Sequence, residues 1–508
     1  MTPGEWRNRL AALWERRPLP LLLALAALLR LAAALLSRGY GMHDDHFLVV
    51  ELAQRWAEGR ADLSAEMVAM RSLVYPWLHA ELFAGLERVG ITDPQGKMLV
   101  VRLLHAAWSL GTVYFGYRCA LALSGPRAAR AAGLLLAGFW IMPFMSVRNL
   151  VEVVCQPLLV AAGFFLVRGR RPDGGDGGRG GDAFVAGLLF GLAFVVRFQV
   201  LVLPATAGLV LLALRRFRSA LSLALGAALA IGVVQGGSDW LGFGRPFASF
   251  LAYLAYNSNP ANVAGYPQGP WFQYLGTLAG VLVPPTSLLL LWGFLRSARR
   301  APLLFWPTVA FFVLHSAYPG KQERFLLPMV PYLLVLAAVG CFDPDLAPPF
   351  FARHRRLVLW LWRFFAVANT ALLLVFTATY SKRSGVESLS YLHGESEVRG
   401  LVWETSEGSA SFPPLFYLGK DVPVYLDWQG KPLAELREEI RSSGLAPPNR
   451  VVFVGARDLP ARVERLSSVL GPLTLERTVA PSFYDWLLHR MNPRHNVNLT
   501  AFVYRAGG

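Results

Sequence analysis

The stretch Leu19-Pro-Leu-Leu-Leu-Ala-Leu-Ala-Ala-Leu-Leu-Arg-Leu-Ala-Ala-Ala-Leu-Leu36 decides the fold class of this chain. It is an apolar run of the length that crosses the hydrocarbon core of a bilayer, about 17–25 residues. Four arginines precede it, as they would precede the apolar part of a signal peptide: Arg7, Arg9, Arg16 and Arg17. The run is followed by Ser37-Arg-Gly-Tyr40 rather than by a small-residue cleavage site. We therefore predict a retained first transmembrane helix.

Similar apolar runs recur along most of the chain and determine its class. The chain has 508 residues, of which 54% are hydrophobic and 16% are charged, and its mean hydropathy is +0.41. A soluble domain carries about 25% charged residues. The composition therefore predicts a polytopic α-helical membrane protein.

The net charge of +16 and the pI near 10.1 have two interpretations. In a soluble protein they would suggest a nucleic-acid partner, whereas membrane proteins concentrate Lys and Arg in cytoplasmic loops. No basic stripe interleaved with aromatic residues occurs in a soluble segment, so we expect no nucleic-acid partner. Cys119, Cys155 and Cys341 all lie inside apolar runs, which predicts neither a disulfide framework nor a thiolate metal site.

The apolar runs predict about eleven transmembrane spans. They cover 18–37, 97–123, 129–147, 150–167, 183–196, 200–214, 219–240, 271–295, 302–318, 325–341 and 357–380. With the N-terminus in the cytoplasm, every strongly basic connection falls on the cytoplasmic side. The short spans 183–196 and 200–214 are predicted to form a helical pair broken at Arg197-Phe198-Gln199. Irregular backbone at membrane depth is tolerated where it is buried in protein or lines a cavity.

The first outer loop, residues 41–96, is acidic. Up to residue 95 it holds nine acidic residues against four arginines, which leaves a net charge of −5. Phe47 to Trp56 and Leu78 to Leu86 have helical apolar spacing, so we expect interfacial amphipathic helices there. In the second outer loop, 241–270, the aromatic residues are better interpreted as an interfacial belt than as a platform for sugars. Gly174 to Asp182 is predicted to be a flexible cytoplasmic linker.

After residue 380, long apolar runs give way to shorter apolar runs separated by polar segments. Val422 to Leu426, Arg450 to Gly455 and Ala501 to Tyr504 are short strand-like runs between helix-like segments. We therefore predict a transmembrane domain over 1–380 and a soluble α/β domain over 381–508, large enough for a core of its own. The count of spans places this second domain on the outer face.

Polar groups at the ends of the spans collect on the outer side. They are His43-Asp44-Asp45-His46, Arg71-Ser72, Arg148-Asn149 with Glu152, Arg197 with Gln199, and Lys321-Gln322-Glu323-Arg324. A carboxylate can remove a proton from an attacking hydroxyl group. Lys and Arg can stabilise a departing phosphate. The set therefore suits a reaction with an anionic leaving group.

Each of these groups also has a simpler interpretation. Asp44 and Asp45 would suit the N-terminus of a helix beginning near Phe47 as caps. His43 to His46 would suit a metal ion as ligands, although four consecutive ligands cannot converge on one ion without strain. Arg71 and Arg148 would reach the interface from the membrane as snorkelling side chains. Lys321 to Arg324 would form a solvated hairpin between two helices.

Three segments together resemble the GT-C glycosyltransferases, and within them glycosyltransferase family 22. His43-Asp-Asp-His-Phe47 is similar to the family's Pro-Asp-Glu-aromatic-Phe signature, and Gly191-Leu-Ala-Phe-Val-Val-Arg-Phe-Gln199 to its Gly-Leu-Ala…Arg-Phe-Gln helix. His315-Ser-Ala-Tyr-Pro-Gly-Lys-Gln-Glu-Arg-Phe-Leu326 resembles its His…Pro-His-Lys-Glu-x-Arg-Phe loop, and Arg71 to Pro76 is a weaker fourth match. The segments occur in the family's order across the membrane portion of the chain.

The resemblance implies roles for individual residues. The family's catalytic acid falls on Asp44 and its acidic neighbour on Asp45. The cations expected near the lipid phosphate fall on Lys321 and Arg324, with Arg197 beside the donor. Further substrate contacts are expected from His43, His46, Arg71, Arg148, Gln199 and Glu323. The chain departs from the family pattern where His43 replaces proline, Asp45 replaces glutamate and Gly320 replaces histidine.

The resemblance also implies a reaction. A polyprenyl-phosphate-linked sugar, expected to be mannose, would be transferred to a hydroxyl of a glycan or glycolipid acceptor in one inverting displacement. No cofactor is expected, and a divalent metal is not excluded. The alternatives are a transferase of the same fold that moves another sugar to protein or lipid A, and a polar-lipid transporter or flippase. We expect a bacterial inner membrane, with the active site and the C-terminal domain on the periplasmic or outer face.

Overall fold

The computed structural model describes residues 5, 12–168, 180–346, 353–405, 412–428, 431–493 and 496–507. The predicted linker from Gly174 to Asp182 lies mostly outside these residues, and its last three residues begin a helix. Close packing divides the chain into two units. The membrane unit is Met1–Ala34, Asp62–Leu78 and Arg102–Thr377, and the sheet unit is Leu35–Ala61, His79–Val101 and Ala378–Gly508.

Several helices up to residue 213 overlap the predicted spans, whereas the predicted spans 129–147 and 150–167 are each divided into two helices. The helices in this part of the chain are α1 Pro18–Leu36, α2 His43–Ala57, α3 Glu66–Ala69, α4 Val74–Arg88, α5 Pro94–Ser124, α6 Pro126–Gly138, α7 Ile141–Ser146, α8 Val151–Val154, α9 Gln156–Val167, α10 Gly180–Val196 and α11 Val202–Ala213. A 3-10 turn over Phe198–Leu201 separates α10 from α11. The predicted break at Arg197 is therefore confirmed.

The remaining helices of the membrane unit include several irregular segments. They are α12 Phe217–Ala230, α13 Gly237–Phe243, α14 Ala248–Ser258, α15 Pro260–Ala264, α16 Gln273–Val281, α17 Thr286–Arg296, α18 Pro302–Ala317, α19 Val330–Phe342 and α20 Arg355–Thr377. A π-helical turn over Ile231–Gly236 joins α12 to α13, and a 3-10 segment over Glu323–Met329 leads into α19. The predicted span 271–295 is bent by 112° between α16 and α17.

By length and composition, five helical segments among the described residues are long and apolar enough to cross a membrane. The bent pair would add a sixth, and shorter apolar helices lie at Val151–Val167, Gly180–Val196, Phe198–Ala213 and Pro302–Ala317. A polytopic membrane protein is therefore confirmed, whereas the count of about eleven spans is not.

Burial within the membrane unit is graded from a central helix to a peripheral one. Nearly every residue of α19 is buried, whereas most side chains of α20 are exposed, as expected of a helix that faces lipid. Small residues allow close helix crossings: a side chain at Gly187 of α10 would collide with the backbone of α12 at Leu223. The one arginine of α1, Arg30, is buried and donates hydrogen bonds to Ser109 and to carbonyls of α6. The buried charge of Arg30 is therefore compensated by hydrogen bonds to neutral acceptors.

The sheet unit contains a five-stranded sheet, in the order β2-β1-β3-β5-β4. The strands are β1 Leu401–Thr405, β2 Val424–Trp428, β3 Arg450–Val454, β4 Leu473–Val479 and β5 Ala501–Ala506, and the helices after α20 are α21 Arg383–Gly394, α22 Leu433–Ser442, α23 Leu459–Leu470 and α24 Phe483–Met491. β1 is parallel to β2 and β3, whereas β5 is antiparallel to β3 and β4. The three strand-like runs predicted from the sequence are thus β2, β3 and β5.

The two faces of the sheet are covered by different parts of the chain. On one face, residues of α22 and α23 pack against alternate residues of the strands, among them Val402 and Phe453. On the other face, Trp403 and Val452 pack with α21 and with the first-loop residues Phe47, Val50 and Phe83. These three loop residues therefore share a hydrophobic core with the sheet. The position of α2 is therefore set by the sheet.

Candidate active site

The first candidate cluster is the first turn of α2, which we call the acidic turn (His43 to Phe47). The helix begins at His43, and Met42, in extended conformation, is its N-cap without a side-chain hydrogen bond. Asp44 and Asp45 therefore lie inside the first turn, where their charge suits the positive end of the helix dipole. The interpretation of these residues as N-caps of a helix starting near Phe47 is wrong.

Burial separates the members of the acidic turn. The side chain of Asp44 is 68% exposed, whereas the residues Asp45 and His46 are only 8% and 2% exposed. Phe47 is anchored in the core of the sheet unit. The helix thus directs one carboxylate to solvent and its neighbour inward, and only Asp44 has the accessibility that a proton acceptor needs.

His43 bridges the acidic turn and the segment after β1. Its Nδ1 lies 3.4 Å from Oδ1 of Asp44, and its Nε2 lies 3.3 Å from the carbonyl oxygen of Pro413. The imidazole packs against the rings of Tyr40, Phe47 and Phe412. This histidine, which replaces the family's proline, is held on both sides by polar contacts.

The second candidate cluster lies in the membrane unit and is built around Glu152 of α8. Its Oε1 accepts hydrogen bonds from Nη1 of Arg197 at 2.8 Å and from Nη1 of Arg324 at 3.0 Å. We call Arg197, Glu152 and Arg324 the arginine triad. Glu152 is completely buried, and both guanidinium groups stack on Phe325, with 5.3 and 5.2 Å to the ring centre. One carboxylate thus orients two cations, and the triad keeps a net positive charge.

The chain reaches this arrangement by local breaks in its helices. α10 ends at Val196, and Arg197 has extended backbone angles (φ −150°, ψ 111°). Arg324 lies in the 3-10 segment that precedes α19, and its Nε donates to Oε1 of Gln322 at 2.7 Å. Gln199, the residue after the break, hydrogen-bonds the hydroxyl of Tyr253. Side chains at these breaks can point into the protein where helix geometry would direct them elsewhere.

The arginine triad is incompletely satisfied. Within the described part of the chain, Nε and Nη2 of Arg197 and Oε2 of Glu152 are buried without a hydrogen-bond partner. Nε and Nη2 form one edge of the guanidinium, the edge that binds two oxygens of a phosphate or carboxylate at once. A buried donor pair without an acceptor is costly, so this edge is suited to an anionic ligand.

Lys321 has a different environment from the two arginines. Its Nζ donates to the carbonyl oxygens of His315 at 3.1 Å, Ser316 at 2.6 Å and Tyr318, at the C-terminal end of α18. The ammonium group also lies 5.0 Å from the centre of the Tyr274 ring, and desolvation lowers the pKa of Lys321. The ammonium group is therefore bound to the C-terminal end of α18. Lys321 is buried, so a solvated hairpin does not describe it.

The other predicted contact residues are distributed over the membrane unit. Arg148 is 2% exposed and lies 4.6 Å from the ring centre of Phe144, so it does not snorkel to an interface. Arg71 lies close enough to Tyr253 and Tyr266 to interact with them electrostatically, and Glu323 does so with Tyr274. That these residues contact the substrate stays a prediction.

Glu152 is the functional candidate whose role the sequence did not show. The sequence signal was an acidic residue inside the apolar run Leu150-Val-Glu-Val-Val154, which in a membrane protein marks a paired or functional group. Its partners are distant in sequence, so they could not be assigned before the structure. Among the described residues, no group of three or more His, Cys, Asp or Glu side chains is arranged to hold a metal ion.

Comparison with known proteins identifies the family. The model of the Alg9-like mannosyltransferase family matches residues 21–398. The chain is 25% identical over 427 residues to GPI mannosyltransferase 3 of Yarrowia lipolytica, a match that covers 82% of this chain and 78% of the relative. It is 28% identical over 240 residues to GPI mannosyltransferase 4 of Aspergillus oryzae, covering 42% and 40%. Both relatives are fungal, so they do not support the predicted bacterial inner membrane.

A solved structure shows the same fold. The structure of ArnT from Cupriavidus metallidurans bound to undecaprenyl phosphate superposes with a TM-score of 0.59 at 16% identity, over 95% of this chain and 97% of that one. At this identity the likeness concerns the fold, which is of the GT-C type. The chain belongs to the Alg9-like mannosyltransferase family, and it is a multi-pass membrane mannosyltransferase with a GT-C fold.

Proposed function

We propose that the protein transfers mannose from a polyprenyl-phosphate donor to a hydroxyl group of a glycolipid or glycan acceptor. The acceptor oxygen attacks the anomeric carbon, the bond from that carbon to the phosphate oxygen breaks, and the configuration inverts. The lipid carrier is supported by the undecaprenyl phosphate named with the structure of ArnT. The acceptor class is supported by the two relatives named as GPI mannosyltransferases.

The observation that carries the proposal is the exposure of Asp44. Its carboxylate accepts the proton of the attacking hydroxyl, and general-base assistance of this kind accelerates reactions by about 10²–10⁴-fold. Asp45, which is buried beside it, positions Asp44 or the acceptor in this proposal. Both residues lie in the first turn of α2, where the helix dipole stabilises negative charge.

The leaving phosphate is stabilised by the arginine triad and by the loop of Lys321. Arg197 offers its Nε and Nη2 edge to two phosphate oxygens, and Arg324, fixed by the same glutamate, adds a second positive charge. Because these donors are oriented before the donor binds, they need little reorganisation as negative charge develops on the phosphate. Lys321 contributes by holding the loop that carries Arg324, and its charge adds to the field at the site.

The remaining predicted contacts complete the proposal. His46, Arg71, Arg148, Gln199 and Glu323 are proposed to contact the substrates or the residues that bind them. The outer, extracytoplasmic face of the membrane is the proposed side of the reaction, a proposal supported by the distribution of basic residues among the connections between the predicted spans.

The test is a transfer assay with purified protein. Radiolabelled polyprenyl-phosphate mannose, glucose and galactose would be compared as donors, with and without a chelator, and with a GPI-type glycolipid as acceptor. The proposal predicts transfer from the mannosyl donor with inversion at the anomeric carbon. Transfer from a nucleotide sugar alone, or retention of configuration, would contradict it.

A further inference from the structure

The contacts of His43 define the hydrogens on its ring. Nε2 lies 3.3 Å from the carbonyl oxygen of Pro413, and a carbonyl oxygen only accepts hydrogen bonds. Nε2 therefore carries a hydrogen in every protonation state of the ring that keeps this contact. In the neutral imidazole, the other nitrogen, Nδ1, must then present its lone pair.

That lone pair points at the proposed base. Nδ1 lies 3.4 Å from Oδ1 of Asp44, and both atoms are electron-rich when the imidazole is neutral and the carboxylate is ionised. The contact becomes favourable when one proton lies between the two atoms, either on Asp44 or on Nδ1. A 3.4 Å separation is long for a hydrogen bond, as such contacts often are in enzymes without bound substrate.

The groups around the imidazole of His43 are those that can affect a proton shared between Nδ1 and Asp44. From α2, the carboxylates of Asp44 and Glu51 interact with His43 electrostatically, and burial raises the pKa of Glu51. From the segment after β1, the ring meets the carbonyl of Pro413 and the aromatic ring of Phe412. Tyr40 packs on the ring's edge, and the Lys382 ammonium lies over Tyr40 and donates to the carbonyl of Gly41.

We propose that His43 accepts the catalytic proton from Asp44, and this inference rests on the proposed role of Asp44 as the base. The hydroxyl proton of the acceptor moves to the carboxylate of Asp44 as the bond to the anomeric carbon forms and the phosphate leaves. The proton then moves from Asp44 to Nδ1 of His43, which becomes an imidazolium with Nε2–H still bonded to Pro413. The side chain of His43 is 25% exposed, so the imidazolium releases the proton to solvent and Asp44 is ionised again.

The relay predicts a specific pH dependence. When His43 is protonated before the reaction, Nδ1 has no lone pair to accept a proton, and its hydrogen stabilises the ionised form of Asp44 and weakens the base. The kcat should therefore fall at acidic pH, where a hydrogen on Nδ1 blocks the transfer from Asp44. A residue that only positions Asp44 would not produce this decrease.

Two substitutions separate the relay from a structural role. His43→Gln keeps an amide N–H where Nε2 donates to Pro413 but has no titratable nitrogen at the position of Nδ1. His43→Pro introduces the residue of the family signature, which is well tolerated at the first position of a helix. His489→Gln is the matched control, because His489 also contacts a backbone carbonyl of the sheet unit, that of Asn496.

The measurement is the pH profile of kcat and the donor KM for each variant, together with thermal unfolding. We expect kcat of His43→Gln and His43→Pro to fall about tenfold at pH 7 with unchanged donor KM, and the part of the acidic decrease that depends on His43 to disappear. The control variant His489→Gln should keep the wild-type kcat at pH 7 and the wild-type decrease of kcat at acidic pH. A wild-type profile in His43→Gln, or a change in KM alone, would overturn the relay. If Asp44→Asn retains transfer, the proposed base itself fails, which is a different result from failure of the relay.

Discussion

The charged groups of the acidic turn, in the sheet unit, and of the arginine triad, in the membrane unit, differ in exposure and in the kind of partner they have. Asp44 is largely exposed and its partner is an imidazole, whereas Glu152 is fully buried and its partners are two permanent cations. A group that must exchange protons needs access to solvent and a partner of similar basicity. Groups that must bind an anion need fixed orientation, which a shared buried carboxylate provides. The contrast predicts different consequences when each cluster is changed.

The largest effect on catalysis is expected at Asp44. Asp44→Asn removes the proton acceptor while keeping the shape of an exposed side chain, so transfer should fall by about 10²–10⁴-fold with little change in thermal stability. Initial rates with the mannosyl donor and unfolding temperatures in detergent would be measured together. Asp421→Asn is the matched control, because Asp421 is an exposed aspartate of the same unit with a surface ion pair. Near-normal transfer by Asp44→Asn would remove the acidic turn from the mechanism.

The largest effect on stability is expected at Glu152. Glu152→Gln leaves the buried guanidinium of Arg197 and the partly buried guanidinium of Arg324 without their counter-charge, and breaking a buried pair costs about 3–5 kcal/mol. The triple replacement of Glu152, Arg197 and Arg324 by Met should recover much of this stability, because apolar packing avoids the desolvation of charges. It should nevertheless be inactive. An active triple variant would show that the triad serves only the fold.

The sequence was most informative where local pattern and local structure coincide. The break after Val196 was predicted because a charged residue interrupts an apolar run, and the helix does end there. β2, β3 and β5 were predicted from short apolar runs. β1 was missed because Leu401-Val-Trp-Glu-Thr405 contains an acid, whose burial depends on Arg462, 58 residues later. β4 was missed because charged residues interrupt its pattern.

The candidate site depended more strongly on contacts between distant residues. Asp44, Arg197 and Arg324 were identified from local motifs. The contacts of the two arginines with Glu152, and that of Asp44 with His43, were not predicted. Glu152 is 172 residues from Arg324 in the chain, and Pro413 is 370 residues from His43. The motif suggested that Lys321 is available to bind a phosphate, yet three carbonyls at the C-terminal end of α18 accept its protons. Local motifs therefore identified the candidate residues, whereas their contact partners became known only from the structure.

A smaller effect, on donor binding, is expected when Arg197 is replaced conservatively. Arg197→Lys keeps the positive charge near Glu152 but loses the edge formed by Nε and Nη2, which a lysine cannot reproduce. We expect the donor KM to rise about tenfold, which corresponds to about 1.4 kcal/mol, with a smaller effect on the acceptor KM. Arg477→Lys, an exposed arginine of β4 that stacks on Tyr391, is the control. An equal rise in both KM values would argue against specific binding of the phosphate.

The smallest effect is expected where a charged pair is only partly buried. Lys97 donates to Glu87 at 2.6 Å and to Gln54 of α2 at 2.9 Å, so this pair fixes the helix that carries the acidic turn. Glu87→Gln should lower the free energy of unfolding by about 1 kcal/mol at neutral pH, as for exposed pairs, and change transfer less than twofold.

The pH dependence of this pair provides the sharper measurement. The hydrogen bond from Lys97 holds the pKa of Glu87 below its ordinary value of 4.5. The folded state therefore binds fewer protons than the unfolded state in this range, and the stabilisation is present above the unfolded pKa and lost as the pH falls through the folded one. Below about pH 5, wild-type stability should decrease more steeply than that of Glu87→Gln in chemical unfolding. Parallel curves would mean that the ion pair between Lys97 and Glu87 does not stabilise the folded state.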